Sequence, residues 1–189
     1  MANTMTTYLK IQNLNEETFL KFSELFKTEN ENNSYVELKN HFNTLFDEKF
    51  NDSDNVISKD FLVQNIGSKR ITIEFTDDGY SSEVDIIIES AWNVPMEYLR
   101  KIRDVLTEWD KDITLSGTYE DEGFSPIGAF VSGYDYDDIE DYDEVDGERM
   151  WNDDDYNEEI YNGLYSHRDS LYEAYLEVKK EREEDDRNQ

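Results

Sequence analysis

Residues 135–159 hold fourteen carboxylates and one basic side chain, Arg149. Tyr136, Tyr142, Trp151 and Tyr156 are threaded through that run, and Tyr134 precedes it. Carboxylates at this density suit three kinds of chemistry. They can imitate the phosphates of duplex DNA, about one charge per 1.7 Å of axis, and so fill the basic cleft of a nucleic-acid-binding protein. They can ligate a hard cation such as calcium, which takes its oxygens from Asp-rich loops. Paired, they can act as general acid and base, as in glycoside hydrolysis. A solvated acidic loop that merely keeps the chain soluble is the plain alternative. Disordered acidic tracts are poor in aromatics, so the interleaved Tyr and Trp predict a segment that is folded or partner-facing. The expected contact residues are Asp135, Tyr136, Asp137, Asp138, Glu140, Asp141, Tyr142, Asp143, Glu144, Asp146, Trp151, Asp153, Asp154 and Asp155. The carboxylates would supply charge and the aromatics contact area.

The competing chemistries fit the spacing less well. With Gly147 at the glycine of a helix–loop–helix calcium loop, Tyr142 falls at the first position, where Asp is required. With Gly79 there, Glu74 comes first, Thr76 third, Asp78 fifth and Asp85 last, which is a poor ligand set. Among 47 acidic residues some pair always has a hydrolase-like spacing, so a carboxylate pair carries almost no signal. Glu120, Asp121 and Glu122 read as an exposed hairpin tip. The two histidines, His41 and His167, fall in separate predicted helices and read as surface or core-edge residues. No nucleophile elbow accompanies them, and no Gly-rich turn followed by Lys is present to cradle a phosphate. Without cysteine there is no disulfide, iron–sulfur ligation or thiol nucleophile. No cofactor is expected.

The charge is unevenly spread over the 189 residues, whose formal total is −29. Residues 1–133 carry 25 acids and 12 bases, residues 134–159 carry 14 and one, and the last thirty carry 8 and five. Such a total destabilises the compact state by self-repulsion, most at low salt. It also argues against direct binding to nucleic acid or an anionic membrane, both of which need Lys and Arg. A basic partner, itself nucleic-acid-binding, suits it better. Apolar residues at 37% and aromatics at 14% still provide a core for one domain with a small appendage. No apolar run reaches the length of a membrane span and the first residues lack a signal pattern, so a cytoplasmic protein is expected.

The elements that must position these residues follow from periodicity. Residues 6–12 alternate as a strand. Asn13 or Asn15 can cap a helix over 15–27, with Glu16 and Glu17 in its first turn. A polar loop over 28–34 leads to a helical stripe of Tyr35, Leu38, Phe42, Leu45, Phe46 and Phe50, a turn at 51–55 and a short helix over 58–66. From Arg70 the period becomes two: residues 71–75, a turn at 77–79 and a strand over 82–90, with the consecutive Ile86–Ile88 suggesting a central strand. Pro95 sits where a first helical position is favoured, ahead of the stripe Met96, Leu99, Ile102, Val105, Leu106 and Trp109. A second hairpin pairs 113–119 with 127–132. Ile160, Leu164, Leu171, Tyr175 and Val178 recur at helical spacing, Ser166 with Asp169 suits the start of that helix, and the end frays. Trp92 and Trp109 are expected in the core, whereas Trp151 is either an anchor of the acidic segment or a contact residue. Helices on one face of a mostly antiparallel sheet define an α+β fold.

Two stretches resemble one family. The chain opens Met1-Ala2-Asn3 and Tyr8-Leu9-Lys10-Ile11. Later come Glu89-Ser90-Ala91-Trp92-Asn93-Val94-Pro95 and Leu115-Ser116-Gly117-Thr118-Tyr119-Glu120-Asp121-Glu122-Gly123-Phe124, then Gly128-Ala129-Phe130. This order is similar to uncharacterised phage- and plasmid-borne proteins with an Api-type ferredoxin-like domain. Pro95 alone stands where that family has two prolines. The resemblance covers about residues 1–133 and implies a ferredoxin-like fold and a mobile-element origin, not an activity.

The resulting organisation is a ferredoxin-like α+β domain over 1–133 with a helical insertion at about 35–66, an acidic aromatic-rich segment over 134–159, a C-terminal helix over 160–183 and a frayed tail over 184–189. The expected function is non-enzymatic: occlusion of a basic surface of a host nuclease, defence or transcription factor, as a DNA mimic. A calcium-dependent protein, a small carboxylate-based enzyme, and a structural or assembly protein are the alternatives.

Overall fold

The computed structural model describes residues 3–28, 34–47, 50, 57–76, 79–142 and 145–187. In chain order the elements are β1 (Thr4–Gln12), α1 (Glu16–Leu25), α2 (Leu38–Phe46), α3 (Lys59–Asn65), β2 (Ile71–Phe75), β3 (Glu83–Ala91) and α4 (Met96–Trp109), followed by β4 (Thr114–Asp121), β5 (Ile127–Gly133), β6 (Tyr136–Asp141), α5 (Gly147–Asn152) and α6 (Asp154–Arg187). The six strands form one open sheet in the order β2-β3-β1-β4-β5-β6. Every neighbouring pair is antiparallel. The fold is α+β. Residues 51–55 and Asp77–Asp78, predicted as turns, and 29–33 of the polar loop lie outside the described residues.

Local chemistry sets the boundaries. The Asn15 side chain accepts from Thr18 N–H and the Thr18 hydroxyl accepts from Asn15 N–H, a reciprocal cap that starts α1. Ser58 accepts from Phe61 N–H, a one-way cap that starts α3. Pro95 is the residue before α4, not its first helical position. On β1, Met5, Thr7, Leu9 and Ile11 are buried while Tyr8 between them is exposed. That buried face meets α1, α2 and α4 through Phe22, Phe26, Phe42, Leu99, Ile102 and Leu106. Each such side chain contributes roughly 1.5–3 kcal/mol of burial.

A second core lies on the other side of the sheet. Ile127, Ala129 and Val131 of β5 pack with Leu164, Leu171 and Tyr175 of α6, while Phe130 between them belongs to the first core. Every residue of β5 is therefore buried. Helices occupy both faces, which corrects the expectation of one, because α6 covers the outer face of β4 and β5. That helix begins at Asp154, not near Ser166. Asp153 caps it by accepting from Tyr156 N–H, and Ser166 lies mid-helix with its carbonyl accepting from the Ser170 hydroxyl. Its 34 residues span about 50 Å, and helical turns continue to Arg187 where a frayed end was expected. Among the described residues no helix packs over the outer face of β2 and β3, and Ile87 of β3 is 39% exposed although β3 has a strand on each side. Among the described residues no helix is long and apolar enough to cross a membrane.

Candidate partner-binding surface

The acidic segment folds into β6, α5 and the first turns of α6. Period two divides β6 between the faces of the sheet. On the α4 side, Asp137 accepts from Arg100 (2.9 Å), from Arg103 (2.7 Å) and from the Ser132 hydroxyl. Burial pushes the Asp137 carboxyl up, but these three donors outweigh it and hold the group below the usual carboxylate range. Asp141, four residues further along on the same face, accepts from the Tyr119 hydroxyl at 2.7 Å. On the α6 side, Tyr136 packs on Tyr175 with ring centroids 5.2 Å apart and donates to Asp138 at 3.3 Å. Glu140 lies 3.3 Å from His167 Nε2, without hydrogen-bond alignment. The half-buried Tyr142 brings its hydroxyl to Gly163 of α6, where any Cβ would collide with it.

Sequence and geometry also fix α5. Asp146 accepts from Glu148 N–H and Arg149 N–H, capping the helix. Gly147 lies so close to the β4–β5 loop that a Cβ would sit 2.6 Å from the Gly123 carbonyl oxygen. That loop is stapled by Asp121, which accepts from Gly123 N–H and Ser125 N–H, each at 2.8 Å. Trp151 then lies edge-on to Phe124, 5.3 Å between centroids, yet is 70% exposed. Arg149 stacks over Tyr156 at 4.0 Å and pairs with Asp153 at 2.9 Å.

The expected contact residues thus divide into two sets. Asp137, Asp138, Asp141, Asp146 and Asp153 each hold an internal hydrogen bond or ion pair, Glu140 lies beside His167, and Tyr136 and Tyr142 pack against α6. Asp135, Asp154 and Asp155 are exposed and take no part in the ion pairs of this region, nor do Glu158 and Glu159 beside them. Flanking Trp151 in the sequence, Glu148, Asp154 and Asp155 are exposed. Asp143 and Glu144 lie outside the described residues.

One constellation was missed from sequence. Tyr8 of β1 and Tyr161 of α6 donate to the two oxygens of Glu120, at 3.3 and 2.6 Å. Burial, then the Glu120 charge, pushes the Tyr8 phenol up to about 12, and the same causes raise Tyr161. The alternation of β1 puts Tyr8 on the outer face, but nothing local in the sequence pairs it with a helix 150 residues away. Tyr165, stacked on Tyr161, extends this group into the uncovered half of the sheet face.

Two further expectations are revised, those for His41 and Trp92. His41 is buried, not peripheral: Nδ1 donates to the Leu25 carbonyl and Nε2 accepts from the Tyr98 hydroxyl, both at 2.7 Å. Burial lowers its pKa to about 4, against the opposing pull of the Leu25 carbonyl. His167 packs by Tyr142 in the α6 layer, so the histidines share no site. Trp92 is 49% exposed, with Lys69 4.2 Å above its ring, because it turns out of the sheet after β3 at φ 72°. Trp109 is half-buried against the first core. Among the described residues no group of three or more His, Asp or Glu is placed to hold a metal ion. Compared with family models, curated proteins and solved structures, the chain matches none, and its function must be read from this geometry.

Proposed function

We propose that this is a non-enzymatic binder of a basic, nucleic-acid-binding host protein, acting by occlusion with its carboxylates in the place of DNA phosphates. The observation that carries the reading is Trp151, 70% exposed yet fixed on a folded segment between outward carboxylates of α5 and α6. An acidic segment serving solubility alone needs neither the fold nor the exposed indole. An exposed aromatic flanked by charged residues has the composition of a binding hot spot with a polar rim. The net charge of −29 would speed encounter with a cationic target, and salt would slow it. The strands β2-β3-β1-β4, with α1 and α4, follow the βαββαβ order of a ferredoxin-like domain, in keeping with an Api-type phage or plasmid protein that works in the host cytoplasm.

The test is affinity capture from a bacterial lysate with and without excess duplex DNA, repeated with a D154K/D155K variant. A basic DNA-binding protein recovered by the parent, displaced by DNA and lost by the variant is the expected result. Capture that neither DNA nor the charge reversal alters overturns the proposal. Asp137 and Asp141 make poor probes, since reversing them also breaks the bonds that hold β6.

A further inference from the structure

The opposite edge of the sheet carries the reverse charge. A groove of about 720 Å³ runs beside β2, between Arg70–Ile73, residues 35–39 and α3. Lys39, Lys59, Lys69 and Arg70 line it, with Glu37 as the one acid among its described lining residues. In a chain whose acids outnumber its bases 47 to 18, this is a local inversion of sign. Lys69 and Arg70 are held in place, the first over Trp92 and the second by donating to Thr4. Val36, Leu38, Ile57 and Leu62 give the groove apolar walls.

Its remaining wall is backbone. The Arg70 carbonyl accepts from Ala91 N–H, so Arg70, Thr72 and Glu74 turn their polar backbone groups toward β3. By alternation Ile71, Ile73 and Phe75 turn theirs toward the edge. Residues 34–36 satisfy the far part of that edge: Ser34 C=O accepts from Phe75 N–H and Val36 N–H donates to Ile73 C=O. There the added strand leaves β2 for α2. Ile71 N–H and C=O and Ile73 N–H face the groove with no hydrogen bond to the described residues.

We propose that this groove binds an extended acidic segment of a partner protein by strand addition, continuing on β2 where residues 34–36 leave it. Open edge groups supply the ladder, and Lys39 and Lys59, the cations carried by α2 and α3, select carboxylates on alternate residues of the incoming strand, which reach one side. The acidic partner segment is specified by charge complementarity. A second copy of this chain, at −29, is repelled at long range.

A fluorescent octapeptide of alternating Glu and Val is the probe, against its Lys–Val counterpart, with amide exchange read by NMR on the full chain. The Glu peptide should bind and slow exchange at Ile71 and Ile73, while the Lys peptide should not. A K39E/K59E variant should bind the Glu peptide about tenfold more weakly. Both substitutions fall in first helical turns, where an acid suits the helix dipole, so the fold should persist. Equal binding of both peptides overturns the proposal, as does binding without protection of Ile71 and Ile73. Concentration-dependent protection of those amides without peptide also overturns it, by making a second copy the occupant.

Discussion

The two ends of the sheet are built in opposite ways. At the β6 end both faces of β5 are covered, by α4 and by α6, and the largely exposed edge strand beside it carries Asp137, Asp138, Glu140 and Asp141. Charged side chains on an edge discourage pairing with another chain, and two of these four also tie the strand inward, to Arg100, Arg103 and Tyr119. At the β2 end one face is open, the edge is half-paired by residues 34–36, and lysines line what remains. One end is closed and acidic, the other open and basic. Acidity in this chain is thus not uniform decoration: it lines one edge, flanks Trp151 in the sequence, and gives way to four cations against one acid in the described lining of the groove that would admit a strand.

The largest test of this contrast is the second core. Tyr175 is 2% exposed and rests against Gly133 and Tyr136. Tyr175→Ala should destabilise by about 3–4 kcal/mol, because it removes a buried ring and leaves a cavity under α6. Ile87→Ala, on the uncovered face at 39% exposure, should cost under about 1 kcal/mol. Urea unfolding of the two variants gives both values. Equal losses would mean that the outer face of β3 is covered after all, and the asymmetry would collapse.

Acid should separate two contributions more finely. His41, beneath the β2 end, is held neutral: the unfolded imidazole takes up its proton near 6.5, the folded one not until about 4. Its contribution is therefore complete above 6.5 and falls as pH drops toward 4, by about 3 kcal/mol in all. Asp137, at the β6 end, is depressed from 3.8. Its contribution is complete above 3.8 and lost only as pH falls through the lower folded value. Protonation also relieves the repulsion of the whole chain, so each window is read as a difference between parent and variant. His41→Gln should abolish the first slope and leave the second, and Asp137→Asn the reverse. A His41→Gln curve parallel to the parent from pH 7 to 4 would exclude the buried, neutral His41.

How legible this was in the sequence varies with how local the determinant is. The Asn15 cap, the stripe of α4 and the alternation of β1 and β2 are local, and the structure repeats them to within a residue or two. The β6 strand was not legible. In Tyr136–Asp141 only Tyr136 and Ile139 are apolar, so no face shows a period, and the strand is held by Arg100 and Arg103 from another element. The second core was hidden for a related reason: Ile127, Ala129 and Val131 read as one side of a hairpin strand, and only docking of α6 buries them. The start of α6 was misplaced because Ser166 and Asp169 mimic a cap that Asp153 supplies earlier. At the candidate site, residue types announced the charge, but which carboxylates turn inward depends on contacts no spacing encodes. Asp137 and Asp138 are neighbours in sequence, and one meets two arginines while the other meets only Tyr136.

The smallest expected change in stability is also the most discriminating for function. Trp151 touches Phe124 edge-on and is otherwise exposed. If it is a contact residue, Trp151→Ala should shift unfolding by no more than about 0.5 kcal/mol, while weakening the captured partner by about 30-fold or more, the loss typical of a hot-spot aromatic. If it anchors α5 to the β4–β5 loop, the order reverses: stability drops by about 1–2 kcal/mol and Gly147 moves off Gly123. Glu148→Gln provides the comparison within the same surface, since a rim charge alters the salt dependence of association more than the final affinity. Trp151→Ala acting on affinity, with Glu148→Gln acting on rate, would set the closed acidic end apart as the functional one. Trp151→Ala acting on stability alone would leave the acidic end as a structural buttress, and the open basic edge as the place to seek a partner.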